Sequence, residues 1–152
     1  MPSLSIPSPI GQLTIDAKND AIVAIRWADD PFGEPDALIR EAARQLDGYF
    51  AGRLSRFELP LAAGGTPFEQ RVWAAMCAIP PGQTRTYGEL AEALDSGPRA
   101  IGRACGRNPI PIVVPCHRIL ARGGLGGYSG GKGLPTKQFL LDLEASLAKA
   151  AA

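Results

Sequence analysis

The sequence is poor in the residues that build metal sites and disulfide frameworks. It holds one histidine, His117, and three cysteines, Cys77, Cys105 and Cys116. Three is an odd number and no pair has CxxC spacing, so neither a disulfide framework nor a zinc site is expected. No apolar run approaches the roughly 20 residues needed to cross a bilayer. Met1 to Ile10 lacks a basic segment followed by a long apolar core, so no secretory signal is expected. The glycine-rich stretch Gly123 to Gly131 lacks the Lys-Ser/Thr ending of a phosphate-binding loop, which argues against a nucleoside triphosphate. From these absences we expect a cytoplasmic chain in a reducing compartment, with no membrane and no metal.

What is present suits a folded enzyme or binding protein. The 152 residues are 45% hydrophobic and 20% charged, an ordinary globular composition able to bury a core in one domain or two small ones. The net charge of +1 hides an asymmetry. Residues 1–63 carry 6 basic and 9 acidic side chains, whereas residues 64–152 carry 10 and 6. A basic second half would favour a phosphate backbone as partner.

Patterning divides the chain in the same place. Leu4–Ile6, Leu13–Ala17 and Ala21–Trp27 alternate in part and are separated by Gly11 and by Lys18-Asn19-Asp20, which predicts a small antiparallel sheet. Pro35 to Gly52 shows helical spacing through Leu38, Ile39, Ala42, Leu46 and Tyr49 or Phe50. Leu54 to Leu61 reads as one more strand or an extended connector. Ala62-Ala63-Gly64-Gly65 is the expected boundary between an N-terminal domain, 1–63, and a C-terminal one, 64–152.

In the second part, Thr66, Pro67 and Glu69 form a strong helix start, and Pro80-Pro81-Gly82 stops that helix. Thr86–Leu94 and a helix opening at Pro98 are joined by the turn Asp95-Ser96-Gly97. The second of them carries Arg99, Arg103 and Arg107 at four-residue intervals, with Gly102 suggesting close packing. Two short helices with an arginine-rich second member form a helix-turn-helix pattern. The last helix begins at Thr136 or Lys137 and runs through Leu147. It turns Glu144 inward, where a carboxylate needs a partner.

Chemistry concentrates at Ile110-Pro111-Ile112-Val113-Val114-Pro115-Cys116-His117-Arg118. The β-branched run predicts a buried strand or extended core segment, ended by Pro115. A thiol, the only imidazole and a guanidinium follow directly. On these residues alone the stretch is either a buried Cys beside a surface His and Arg, or a nucleophile with its base.

The motifs Thr66-Pro-Phe-Glu-Gln-Arg-Val-Trp73, Ile79-Pro-Pro-Gly-Gln-Thr84, Tyr87-Gly-Glu-Leu-Ala91, Arg99-Ala-Ile-Gly102, Asn108-Pro109, Pro115-Cys-His-Arg118, Gly127-Tyr128 and Lys137 to Glu144 resemble, in order, those of the O6-alkylguanine-DNA alkyltransferases, also called methylated-DNA–protein-cysteine methyltransferases. The likeness spans residues 64 to 146. It implies an α+β chain: a small N-terminal α/β domain resembling ribonuclease H, then a mostly helical domain with a winged-type helix-turn-helix. It implies single-turnover DNA repair, in which an alkyl group passes from O6-alkylguanine to Cys116, and it leaves O4-alkylthymine open as a second substrate. No cofactor is implied.

The resemblance also implies roles for residues. His117 would take the thiol proton through a water, Glu144 would bond the imidazole, Asn108 would brace the turn, and Tyr87 would protonate the departing base. Arg99, Ala100, Gly102, Arg103, Arg107 and Arg118 would contact DNA in the minor groove, Arg99 filling the gap left by the flipped nucleotide. Pro111, Val114, Gly127, Tyr128 and Ser129 would form the base pocket. The expected partner is double-stranded DNA, bound by a monomer associated with the nucleoid. Two other readings compete: a damage sensor or DNA-binding regulator that binds the lesion without transfer, and a Cys-His hydrolase. The reactive cysteine argues against the first. The lack of a peptidase nucleophile motif argues against the second.

Overall fold

The computed structural model describes residues 1–151; residue 152, the last of the expected C-terminal domain, lies outside the described residues. Strands β1 (Ser3–Ile6), β2 (Leu13–Lys18) and β3 (Ala21–Arg26) form an antiparallel sheet in the order β1-β2-β3. Leu13, Ile15 and Ala17 on β2 alternate into the core, as a half-buried strand requires. Thr14 and Asp16 between them are also buried. Thr14 donates to the Ala28 carbonyl (2.7 Å), and Asp16 accepts from Ser3 (2.6 Å) and Arg26 (2.7 Å). Asn19 and Asp20 reverse the chain with φ of 51° and 60°, the left-handed values that suit the twist of a tight hairpin.

Helix α1 (Ala37–Phe50) is capped by Asp36, which accepts the Ile39 N–H at 2.9 Å. Its inner face carries Ile39, Ala42, Gln45, Leu46 and Tyr49. Gly52, just past the C-cap, takes φ 78°, the left-handed turn that commonly ends a helix. The segment from Leu54 to Leu61 is a connector and not a strand: only Leu61 makes a bridge, to Ile22. The connector is held by the Gln45 amide, which exchanges two hydrogen bonds with the Glu58 backbone.

Helices α2 (Pro67–Cys77), α3 (Tyr87–Ala93) and α4 (Pro98–Gly106) follow, the first two each opened by a reciprocal capping box, Thr66 with Glu69 and Thr86 with Glu89. Trp73 of α2 donates to the Ala104 carbonyl at 2.9 Å, fixing α4 against α2. A short parallel pair, β4 (Arg85–Thr86) with β5 (Ile119–Leu120), and the long helix α5 (Leu134–Ala151) complete the fold. Buried side chains from both halves, Leu13 through Leu147, form one continuous core.

The stretch expected as a buried strand is buried but not extended. Ile110 to Val114 are all in the core, yet Ile112 takes φ 74° and the chain turns. Pro109, Pro111 and Pro115 carry no N–H and cannot feed a ladder. Three of the remaining amides close local turns instead: Val114 N–H to Ile110, Cys116 N–H to Val114 and Arg118 N–H to Pro115. A β-branched residue at positive φ is a costly conformation, and here it lies four residues before Cys116.

Candidate active site

Cys116 opens a 3-10 turn, Cys116–Arg118, directly before β5. Asn108 sets that turn from both sides. Its Nδ2 donates to the Val114 carbonyl at 2.7 Å, and its Oδ1 accepts the Ile110 N–H at 2.9 Å. Cys116 is 8% exposed. Burial pushes its thiol up from the usual range, while the Asn108 amide and the Lys137 ammonium pull back only part of the way. The resting group is therefore a thiol. Desolvation disfavours the charged form more than the neighbours favour it.

His117 is wholly buried. Its Nε2 lies 2.7 Å from Glu144 Oε2. Burial pushes its pKa down although Glu144 pulls it up, so the ring is neutral at rest. Burial alone would raise Glu144, but the hydrogen bonds from His117 and Arg118 outweigh it and hold the carboxylate at about 2. Nε2 is then the donor and Nδ1 carries the free lone pair. Nδ1 is buried and has no hydrogen-bond partner among the described residues.

Arg118 does not face outward. It is 6% exposed and grips Glu144 with Nε on Oε1 (2.7 Å) and Nη2 on Oε2 (2.9 Å), while Nη1 donates to the Ile79 carbonyl at 2.5 Å. Its assignment as a DNA contact is corrected: the 3-10 turn swings the side chain inward, and the grip on Glu144 and Ile79 commits it there. Glu144 has a further partner from the N-terminal half, Tyr49, whose hydroxyl donates to Oε2 at 2.6 Å.

Two adjoining cavities share Cys105, Cys116, Tyr128 and Ser129 in their walls. The first, about 450 Å³, is completed by Tyr87, Gly102, Gly106 and Gly127. The second, about 390 Å³, includes Asn108, Pro111 and, from β3 and the residue after it, Ala24 to Trp27. Val114 lines neither. Its side chain is core, and its carbonyl accepts from the Asn108 amide. Burial pushes Tyr87 and Tyr128 up, so both phenols keep their protons. Tyr128 Oη is, with His117 Nδ1, a buried polar atom lacking a partner among the described residues. The ring of Tyr87 lies against Gly126, which has φ 74° and no room for a Cβ; that glycine lets the loop close over the phenol.

Helix α4 presents Arg99 and Arg103 outward, with Ala100 and Gly102 half-buried beside them. A Cβ on Gly102 would meet nothing within 4 Å. This glycine serves no internal packing, contrary to expectation, and leaves the rim of the first cavity open. Arg107 is exposed but lies 3.3 Å from Glu69. Among the described residues there is no cluster of three or more His, Cys, Asp or Glu placed to hold a metal, and no helix long and apolar enough to cross a membrane.

Three residues escaped the sequence reading as part of the site. Lys137 has no exposure, and its Nζ donates to the carbonyls of Ile119 (2.6 Å), Leu125 (2.6 Å) and Gly127 (3.0 Å), tying β5 to the glycine-rich loop. Trp27 meets Tyr128 edge-on, with ring centroids 6.3 Å apart. Tyr49 reaches Glu144 across 95 residues. Only Lys137 left a trace in the sequence, as the first residue of a matching motif.

Comparison with known proteins gives a consistent result over both halves. Residues 4–63 match the family model "6-O-methylguanine DNA methyltransferase, ribonuclease-like domain", and residues 67–146 match "6-O-methylguanine DNA methyltransferase, DNA binding domain". A methylated-DNA–protein-cysteine methyltransferase of Methanosarcina acetivorans is 43% identical over 150 residues, covering 91% of this chain and 95% of its own. A protein of the same name from Mycobacterium bovis is 42% identical over 161 residues, covering 96% and 93%. The crystal structure of Mycobacterium tuberculosis OGT in complex with DNA superposes with a TM-score of 0.86 at 41% identity, covering 97% of this chain and 94% of that one.

Proposed function

Because this chain belongs to the 6-O-methylguanine DNA methyltransferase family, we propose that its buried thiol–imidazole–carboxylate array repairs DNA by taking an alkyl group from O6-alkylguanine onto Cys116. The enzyme is a methylated-DNA–protein-cysteine methyltransferase. The observation that carries the reading is the neutral His117 ring, held by Glu144 at one nitrogen and free at the other, and next in sequence to Cys116.

The chemistry follows from the charges. The Cys116 thiol loses its proton toward His117 Nδ1 through a bridging water, and Glu144 stabilises the imidazolium that forms. The sulfur attacks the alkyl carbon, the carbon–O6 bond breaks, and its electron pair returns to the purine. Tyr87, kept protonated by burial, supplies a proton to the departing base and regains one when the His117 imidazolium gives up the proton it took from the thiol. Overall the thiol hydrogen is exchanged for the alkyl group. The thioether product has no facile route back, so each molecule acts once. The reaction as written needs no metal or cofactor.

A guanine stacked in a duplex cannot reach a thiol that is 8% exposed. The lesion must rotate out, at a cost of a few kcal/mol, into the cavity walled by Tyr87, Gly127, Tyr128 and Ser129. Helix α4 would lie in the minor groove, with Gly102 allowing close approach and Arg99 entering the stack. Arg103 would meet phosphate. Minor-groove readout is degenerate, as suits a search for damage in any sequence. In this reading residues 64–152 bind and react as a monomer, and residues 1–63 support the site from behind.

Intact-protein mass spectrometry after incubation with O6-methylguanine DNA tests the reading. One added methyl group per chain, on Cys116, with no further turnover, is the expected outcome. Multiple turnover would indicate a hydrolase, and tight binding with unmodified protein would indicate a sensor.

A further inference from the structure

We propose that Tyr49, on α1 of the N-terminal half, is a positioning residue for alkyl transfer: it holds Glu144 in the orientation that fixes the tautomer of His117. This rests on the function proposed above. Glu144 Oε2 accepts from Tyr49 Oη at 2.6 Å, from His117 Nε2 at 2.7 Å and from Arg118 Nη2 at 2.9 Å, while Oε1 takes Arg118 Nε at 2.7 Å. Tyr49, Glu144 and His117 are each at most 1% exposed, so no solvent replaces a lost donor. The phenol ring is itself fixed by Phe50 and Phe57, at centroid distances of 5.4 Å and 5.2 Å.

A carboxylate shared by three residues has little freedom to rotate. Arg118 grips both oxygens but lies along the same 3-10 turn as His117, so it moves with the imidazole. Tyr49 approaches from a different element and supplies the reference that the turn cannot supply for itself. Its donated proton also withdraws negative charge from Oε2. Without it the carboxylate would hold an imidazolium more strongly, and Nδ1 would be less available as an acceptor at neutral pH. The charges that His117 feels are those of Glu144, Arg118 and Lys137, and Tyr49→Phe alters none of them directly.

The protein has a single histidine, so nuclear magnetic resonance of 15N-histidine-labelled full-length protein reads this ring without assignment. In the wild type we expect the Nε2–H tautomer and a slowly exchanging Tyr49 hydroxyl proton with an Overhauser contact to it. In Tyr49→Phe the imidazole should titrate at higher pH, and single-turnover transfer from O6-methylguanine DNA at pH 7 should slow roughly tenfold, the usual effect of losing one hydrogen bond to a charged group. Phe57→Leu loosens the same packing and keeps the hydroxyl; it should leave the imidazole titration in place. An unshifted titration with an unchanged rate in Tyr49→Phe, equal shifts in the two variants, or no hydroxyl–imidazole contact in the wild type would each overturn the proposal. Failure of the wild type to acquire an alkyl group would instead overturn the assigned function, because the resonance readouts need no transfer.

Discussion

Arg118 and Glu144 form a two-pronged ion pair inside the protein, Nε to Oε1 and Nη2 to Oε2, with neither side chain more than 7% exposed. Removing one partner strands the other charge in the core. We expect Arg118→Ala to lose about 3–5 kcal/mol of stability, measured by urea unfolding. A surface DNA contact would instead show near-wild-type unfolding and weaker DNA binding.

Arg99 provides the contrast. It is exposed on the second residue of α4, so Arg99→Ala should change stability by no more than about 0.5 kcal/mol. Repair of duplex DNA should slow much more than transfer from free O6-alkylguanine, because only the duplex requires a filler for the emptied stack. Equal losses on the two substrates would reject that role.

Acid should weaken the fold in two stages. His117 is depressed from 6.5 by burial, and Glu144 is held at about 2 against an ordinary 4.5. Both native values lie below the unfolded ones, so the unfolded chain binds more protons as pH falls. The stability tied to His117 is present above about pH 6.5 and declines below it. That tied to Glu144 is lost between about 4.5 and about 2. Urea midpoints measured from pH 8 to pH 2 check this, and a flat profile between pH 7 and pH 5 would contradict a neutral buried imidazole.

Ile112 sits fully buried at φ 74°. Ile112→Ala should cost about 2–5 kcal/mol through the cavity it leaves. Glycine removes one more carbon yet accepts positive φ freely. Ile112→Gly should therefore be at least as stable as Ile112→Ala, the reverse of the order in a helix. Chemical denaturation of both variants decides it.

Cys105 shares both cavities with Cys116, but burial and the neighbouring Cys116 push its thiol up to about 12. Peptide mapping of alkylated protein should place the adduct on Cys116 alone, and Cys105→Ser should still transfer. An adduct on Cys105 would mean that proximity to the lesion, and not the His117 base, selects the nucleophile.

Much of this fold is legible locally. Thr66-Pro67 with Glu69 announces α2, and Asn19-Asp20 announces the hairpin, because caps and turns are chosen by neighbouring residues. Cys116, His117 and Asn108 were legible through the motifs around them. Arg118 was misjudged because its direction depends on a 3-10 turn and on a carboxylate 26 residues away. The turn at Ile112 departs from the buried strand or extended core segment that the β-branched run predicts, because Pro109, Pro111 and Pro115 cannot feed the ladder that β-branching favours. Tyr49 and Trp27 read as ordinary core and strand residues. What gives them a place at the site is packing between distant segments, which periodicity does not encode.

The bond from Tyr49 to Glu144 sets an order of events during synthesis. The phenol emerges from the ribosome early, but its acceptor belongs to α5, the last helix of the described residues. Until α5 docks, the imidazole has no acceptor at Nε2 and the sulfur has no poised base. Completion of the buried array therefore waits on α5, whatever has folded before it.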